Sequence, residues 1–242
     1  MDRDPFSYSG TELTALAGAH HYYEWILRSF SPYLGKRVLE VGSGVGTFAE
    51  LLLSAAHPDH LILVEPAANL FPFLERRYGG DPRVTLVQGY LENVPPSVAV
   101  DSVVLVNVLE HIEHDEEFLR ALRLRLADSG RLLLLVPAGP SLFGTLDEAF
   151  GHWRRYTKTT LTRVLDKAEF RITSLRYFNL TGCLTWFIAG RILRKRTLSP
   201  RGVQLYDRWV VPWLSALERV SAPPVGQSLV AIAEIARILP SK

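Results

Sequence analysis

The chain has 242 residues, 48% of them hydrophobic and 21% charged, with a formal net charge of +2 and a single cysteine. A chain of this length supports one large domain that buries roughly three quarters of its unfolded surface. The near-neutral balance argues against general nucleic-acid binding, which needs a concentrated basic face, and the lone Cys183 excludes an internal disulfide or a cysteine-rich zinc site. No metal is implied. The start, Met1 to Pro5, lacks a basic segment followed by an apolar run and so does not resemble a secretory signal; the expected location is the cytoplasm.

In chain order, residues 11–34 read as helical, with Tyr22, Tyr23 and Trp25 in their second half, and form an N-terminal lid (1–36) ahead of the first strand. Apolar runs near 37–41, 60–65, 84–88, 102–107 and 131–136 read as strands, and helices near 46–57, 67–78 and 115–127 fall between most of them. Continuous Val/Leu/Ile strands require cover on both faces. The expectation is therefore an α/β fold, a doubly wound and mostly parallel sheet with helices on both sides. A helix at 158–168 and a strand near 171–178 close a core of 37–178. Residues 179–226 are helical and rich in Trp and Arg, and a final strand at 228–235 with its tail (227–242) completes a single domain.

The first strand ends in Glu40-Val-Gly42-Ser43-Gly44-Val-Gly46. Glycines at alternate positions suit a backbone that bends sharply and approaches a ligand with no Cβ in the way, just before a helix whose N–H groups face the site. The spacing is G-x-G-x-G with Thr47 next, so it fails the dinucleotide pattern G-x-G-x-x-G. A second carboxylate, in Val64-Glu65-Pro66, lies at the tip of the second strand, where an acid accepts hydrogen bonds from ribose hydroxyls.

These segments resemble the class I S-adenosylmethionine-dependent methyltransferases: 38–46 is similar to their glycine-rich first motif, 64–66 to the acidic second, and 101–111, ending in Asn107, Val108 and His111, to the fourth. The resemblance implies a Rossmann-like sheet of seven strands whose last strand is antiparallel, with 180–226 inserted before it to shape the acceptor pocket. It implies S-adenosylmethionine as cofactor, Glu40 at the methionine amino end, Gly42, Ser43, Gly44 and Gly46 packed on the cofactor, and Glu65 with Pro66 at the ribose. After the third strand, many relatives place an acid by the adenine; here Tyr90 and Leu91 intervene before Glu92, so backbone groups of Tyr90 and Leu91 or the Glu92 carboxylate fill that role.

Acceptor chemistry is expected in the loop after the fifth strand. Methyl transfer displaces a sulfonium carbon, so the enzyme must mainly align a nucleophile and remove its proton. His152 is the candidate base, Asp147 its orienter or a substrate ligand, Tyr156 a neighbouring hydrogen-bonding group, and Arg154 and Arg155 grips for a phosphate or carboxylate; His111 and His114 are rival bases, His111 as a prop and His114 as a helix flank. Tyr22 and Tyr23 of the lid are expected to contact substrate. The Gly-His-x-Arg-Arg-Tyr string is also similar to a bacterial subgroup of these methyltransferases. The expected reaction is methylation of a small-molecule acceptor, anionic or lipid-like and no nucleic acid, with oxygen favoured over nitrogen or carbon as nucleophile. A non-methylating isomerisation or cyclisation, or a binding module without activity, are the alternatives. Arg191, Arg194, Lys195, Arg196 and Arg201 occur with no acid between them at the end of an apolar stretch, so 180–201 reads first as a helix packed on the core with a solvated basic end and second as a peripheral membrane contact. Trp186, Trp209 and Trp213 offer an interface for an oligomer, whose state the sequence leaves open.

Overall fold

A computed structural model describes residues 6–10, 12–95 and 97–236. The expectation drawn from Met1 to Pro5, and the end of the tail, lie outside them. The elements in order are α1 (Glu12–Leu16), α2 (His20–Phe30), β1 (Arg37–Val41), α3 (Thr47–Leu51), β2 (His60–Glu65), α4 (Phe71–Tyr78), β3 (Val84–Gln88), β4 (Val100–Val106), α5 (Asp115–Arg123), β5 (Leu126–Pro137), α6 (Thr145–Phe150), α7 (Lys158–Lys167), β6 (Phe170–Phe178), α8 (Leu180–Phe187), α9 (Pro200–Trp209), α10 (Val211–Val220) and β7 (Ser228–Ile235).

The seven strands form one sheet in the order β3-β2-β1-β4-β5-β7-β6. β1 to β5 pair in parallel, whereas β7 runs antiparallel to both β5 and β6. Side chains alternate across each strand, and here both sets are apolar. Leu39, Ile62, Val103, Leu134 and Ala231 face one core with Leu119, Leu122, Leu161 and Leu165 of α5 and α7. Val38, Leu63, Val104, Leu133 and Ile232 face the other with Ile26, Phe30, Phe48, Leu74 and Leu214 of α2, α3, α4 and α10. Strand order reverses between β1 and β4, and in such sheets the ligand crevice opens beyond the carboxyl ends of the strands at that point.

The boundaries differ from the sequence expectations where long-range contacts outweigh local pattern. The helix expected at 115–127 ends at Arg123, because Leu126 is drawn into register with Val100 and β5 starts there. The helix expected at 46–57 is a short α3 followed by π-helical Leu52–Ala56. The lid splits at Ala17 to Ala19 into α1 and α2, and Gly18, a poor helix former, lies at the break. The second half is restarted from outside. Asp207 of α9, itself buried, accepts hydrogen bonds from the N–H groups of His21 and Tyr22 (3.1 and 2.8 Å). Glu218 of α10 does the same for Asn179 and Leu180 at the start of α8 (3.1 and 2.8 Å). The inserted helices are thus tied by buried carboxylates to both the lid and the sheet edge. Among the described residues, no helix is long and apolar enough to cross a membrane.

Candidate active site

A cavity of about 1170 Å³ opens at the carboxyl ends of β1, β2 and β4 and continues under the lid to the inner side of α8 and α9. Its floor is the turn after β1. Gly42 and Gly46 have φ of +73° and +82°, and a Cβ at either would lie 2.6 Å from Val108 Cγ2 or 2.7 Å from Tyr78 Cε2. Only glycine fits both the conformation and the space. Gly42, Ser43 and Gly44 line the cavity; Gly46 instead sits behind it as the residue preceding α3, its carbonyl held by the Tyr78 hydroxyl at 2.7 Å.

Glu40 and Glu65 end β1 and β2 beside that turn, both buried and both lining the cavity. The Glu65 carboxylate accepts from Gly44 N–H (2.7 Å) and Ala67 N–H (2.8 Å), which fixes it across the turn. Burial raises its pKa despite these bonds. Glu40 Oε2 has no partner, and burial followed by the neighbouring Glu65 pushes its carboxyl up to about 8. Pro66, Tyr90, Leu91, Glu92, Asn107, Val108 and His111 also line the space. Tyr90 is more than half exposed, and its N–H is engaged by Asn93 Oδ1 at 2.9 Å. Tyr22 and Tyr23 reach the cavity from the lid, Tyr22 edge-on to both Tyr23 and Phe178.

The site loop folds around one buried acid. Asp147, on α6, is wholly inaccessible and accepts from four donors: Arg155 Nε at 2.7 Å, the His152 Nδ1 side at 2.9 Å, Trp186 Nε1 at 3.0 Å and Gly144 N–H at 3.0 Å. Burial alone would raise its pKa, but the bonds from His152, Arg155 and Trp186 prevail and hold it at about 2. With Nδ1 engaged, His152 presents Nε2 to its surroundings. Its ring meets His111 edge to face, 4.8 Å between centroids. Glu110, next to His111 on the short turn after β4, is fully buried with neither carboxylate oxygen paired, and burial lifts its pKa to about 7. Glu110, His111 and His152 all line the cavity.

Two of the acceptor-side expectations need correction, and a third narrows to one of its two alternatives. Arg154 turns away from the cavity to Asp115 (2.7 Å) and the Glu113 carbonyl (2.7 Å). Tyr156 is buried in the core with its hydroxyl donating to Asp115 Oδ2 at 2.8 Å. Both close the loop onto α5, where a helix start with three acids attracts them. Asp147 lies beneath His152 and hydrogen-bonds it, as the orienter alternative has it, and does not line the cavity as a substrate ligand would. Arg155 does border the cavity, spending Nη1 on the Ala138 carbonyl (2.6 Å) and leaving Nη2 unpaired. His114 precedes α5 without capping it through its side chain. Sequence reading missed Tyr8 and Glu12, hydrogen-bonded to each other at the cavity roof, with Tyr8 edge-on to His111; nothing local marks them. Glu110 lies within the 107–111 stretch expected to line the site, but the sequence reading assigns it no role, although an acid directly before a histidine is a visible signal.

A family model described as a methyltransferase domain matches residues 18–175. The chain belongs to this methyltransferase family. S-adenosylmethionine is the methyl donor of the class I methyltransferases, and the sheet order, the antiparallel β7 and the crevice between β1 and β4 are those of that class. A "tRNA U34 carboxymethyltransferase" of Serratia proteamaculans is 27% identical over 139 residues, 54% of this methyltransferase and 42% of the relative. The chain thus spans less than half the length of the curated relatives it matches. Among solved structures, an Archaeoglobus fulgidus SAM-dependent methyltransferase superposes with a TM-score of 0.58 at 20% identity, over 89% of this chain and 94% of that one. The [4+2]-cyclase SpnF superposes with a TM-score of 0.58 at 16% identity, over 88% and 80%. Both share the fold.

Proposed function

We propose that this methyltransferase moves the methyl group of S-adenosylmethionine to a hydroxyl oxygen of a small, amphipathic, anionic acceptor taken from a membrane surface. The observation that carries the reading is the single cavity that joins the glycine turn, Glu40 and Glu65 to the Glu110/His111/His152 cluster. Its volume exceeds what one cofactor-sized ligand needs, so donor and acceptor fit together. Glu65 accepts the ribose hydroxyls while bracing the turn, Glu40 meets the methionine ammonium, and adenine lies near Tyr90, Leu91 and Glu92. At the far end, His152, oriented by Asp147, takes the acceptor proton as the oxygen attacks the methyl carbon.

The membrane half rests on the outer side of the inserted helices. Val203, Tyr206 and Val211 line the cavity, whereas Leu205, Trp209, Trp213 and Leu217 are 61%, 63%, 79% and 64% exposed. Leu184, Ile192 and Leu193 of the preceding segment are exposed too, beside Arg191, Arg194, Lys195 and Arg196. Exposed Trp and Leu flanked by lysine and arginine match an anionic lipid face.

The test couples cofactor binding to acceptor class. Calorimetry with S-adenosylmethionine and S-adenosylhomocysteine is expected to show 1:1 binding, weakened by Glu65→Gln. Radiolabelled methyl groups should then pass to hydroxylated anionic lipids and not to transfer RNA. Label in transfer RNA would replace the acceptor proposed here by the one named for the curated relatives. Conversion of an acceptor without S-adenosylhomocysteine formation would point to a non-methylating reaction.

A further inference from the structure

Among the described residues, Glu110 is the least explained side chain: wholly buried, it offers two carboxylate oxygens and neither has a partner. Buried polar groups are nearly always paired, so each exception calls for a missing partner. Two imidazoles stand beside it. The donor atoms of Glu110, His111 and His152 all lie within 4.8 Å of one another. Bonds of about 2 Å to a shared ion set donor separations of roughly 3–4 Å, so a side-chain adjustment of about 1 Å closes the set.

The support expected behind a metal ligand is present at His152. Metal-binding histidines almost always give their second ring N–H to a carboxylate or backbone carbonyl, which fixes the tautomer and turns the other nitrogen to the ion. His152 has its Nδ1 on Asp147, an acid anchored in turn by Arg155 and Trp186. The cluster faces the cavity, so positions around an ion would remain open to a ligand.

We propose that Glu110, His111 and His152 bind a divalent cation that holds the acceptor by two adjacent oxygens, at least one of them a hydroxyl. Two imidazoles and one carboxylate favour a first-row transition ion such as Zn²⁺, Mn²⁺ or Fe²⁺ over Ca²⁺. This deepens the methyl-transfer reading and rests on it. The cation lowers the pKa of the bound hydroxyl, whose proton leaves to solvent. The resulting oxygen anion forms the new O–C bond while the C–S bond breaks, its electron pair returning to sulfur to give the neutral thioether. In this arrangement His152 is a ligand and the cation replaces it as the source of the nucleophile. The acceptor is then a vicinal diol, a catechol or a hydroxy acid.

Chelator-stripped protein titrated with CoCl₂ gives a direct readout, because Co²⁺ bound by nitrogen and oxygen ligands absorbs visible light. One equivalent is expected to bind, with ZnCl₂ displacing it. Glu110→Gln and, separately, His152→Ala should weaken uptake at least 100-fold, while His114→Ala leaves it unchanged. S-adenosylhomocysteine binding by calorimetry monitors the cofactor half in every variant. Wild-type protein that binds S-adenosylhomocysteine but takes up no stoichiometric Co²⁺ overturns the cation site and leaves methyl transfer standing. Uptake that survives in both Glu110→Gln and His152→Ala overturns it equally, and two variants on different segments guard against one that fails to fold. Cation uptake without any cofactor binding would leave the site and remove the reaction assigned to it.

Discussion

Glu40→Gln, followed across pH, tests whether the cofactor end of the cavity is built for positive charge. Glu40 is buried among Glu65, Tyr23 and Tyr78, and its carboxyl is raised from 4.5 to about 8 by burial first and Glu65 second. A carboxyl raised in the fold binds its proton more tightly folded than unfolded, so the folded state holds the extra proton between about 4.5 and 8. Cofactor-free stability must therefore fall as pH rises through that window. Fully expressed, such a shift is worth roughly 5 kcal/mol. Glutamine mimics the neutral acid and cannot ionise, so urea melts at pH 5 and pH 8 should show the wild type losing several kcal/mol more than Glu40→Gln. S-adenosylhomocysteine carries an ammonium that favours the carboxylate, so binding at pH 7 should release close to one proton in the wild type and none in the variant. Calorimetry in buffers of different ionisation enthalpy reads that number. Equal pH slopes for the two proteins, or no difference in proton release, would refute the reasoning.

The remaining predictions concern the loop, the turn and the inserted helices. In Asp147→Asn the new amide must face either Arg155 and His152 or Trp186 and Gly144, so a buried cation or two buried donors lose their partner; a loss of about 3–5 kcal/mol in urea melts is expected, and Arg155→Met in the same chain should recover part of it. Gly46→Ala places a Cβ 2.7 Å from Tyr78 at φ +82°, costing about 1–3 kcal/mol of stability and weakening S-adenosylmethionine binding in calorimetry. Asp207→Ala removes the acceptor for His21 and Tyr22 N–H, so about 1 kcal/mol is lost and hydrogen exchange should quicken at the start of α2. Trp209→Ser with Trp213→Ser should leave thermal stability within about 0.5 kcal/mol and abolish co-sedimentation with anionic vesicles.

The glycine turn and its two flanking acids were legible because their signals are local. A strand ending in Glu40, glycines at 42, 44 and 46 and an acid at 65 are contiguous patterns, and the backbone conformation at Gly42 and Gly46 accounts for them. Strands buried on both faces show as unbroken apolar runs, which is why β1, β2 and β4 could be read within a residue or two. The acceptor half depends on pairs far apart in the chain. Nothing near Asp207 says that it restarts a helix 186 residues earlier, and nothing near Trp186 says that it donates to Asp147. Arg154, Arg155 and Tyr156 look alike as loop residues, yet only Arg155 borders the cavity. The other two are captured by Asp115, whose position follows from α5 packing on α7.

The charge balance of the cavity bears on which end of an acceptor enters. Among the described residues, eight lining side chains are carboxylates and only Arg155 and Lys195 are fixed cations. Arg155 is already committed to Asp147. An interior of this kind attracts positive charge, which in the proposed reading is the ammonium of S-adenosylmethionine at Glu40 and the divalent ion at Glu110. An anionic acceptor cannot lead with its anion into such a space unless the ion receives it. Further positive charge lies outside the lining, on Arg191, Arg194 and Arg196, the last of these 3.9 Å from Glu148. The charges therefore set a direction, with the hydroxylated end deep against Glu110, His111 and His152 and any remaining anionic group outside on the basic segment. Neutralising Arg194 and Arg196 should then raise the KM of an anionic acceptor and leave kcat and S-adenosylmethionine affinity unchanged; a fall in kcat at unchanged KM would place the anion inside instead.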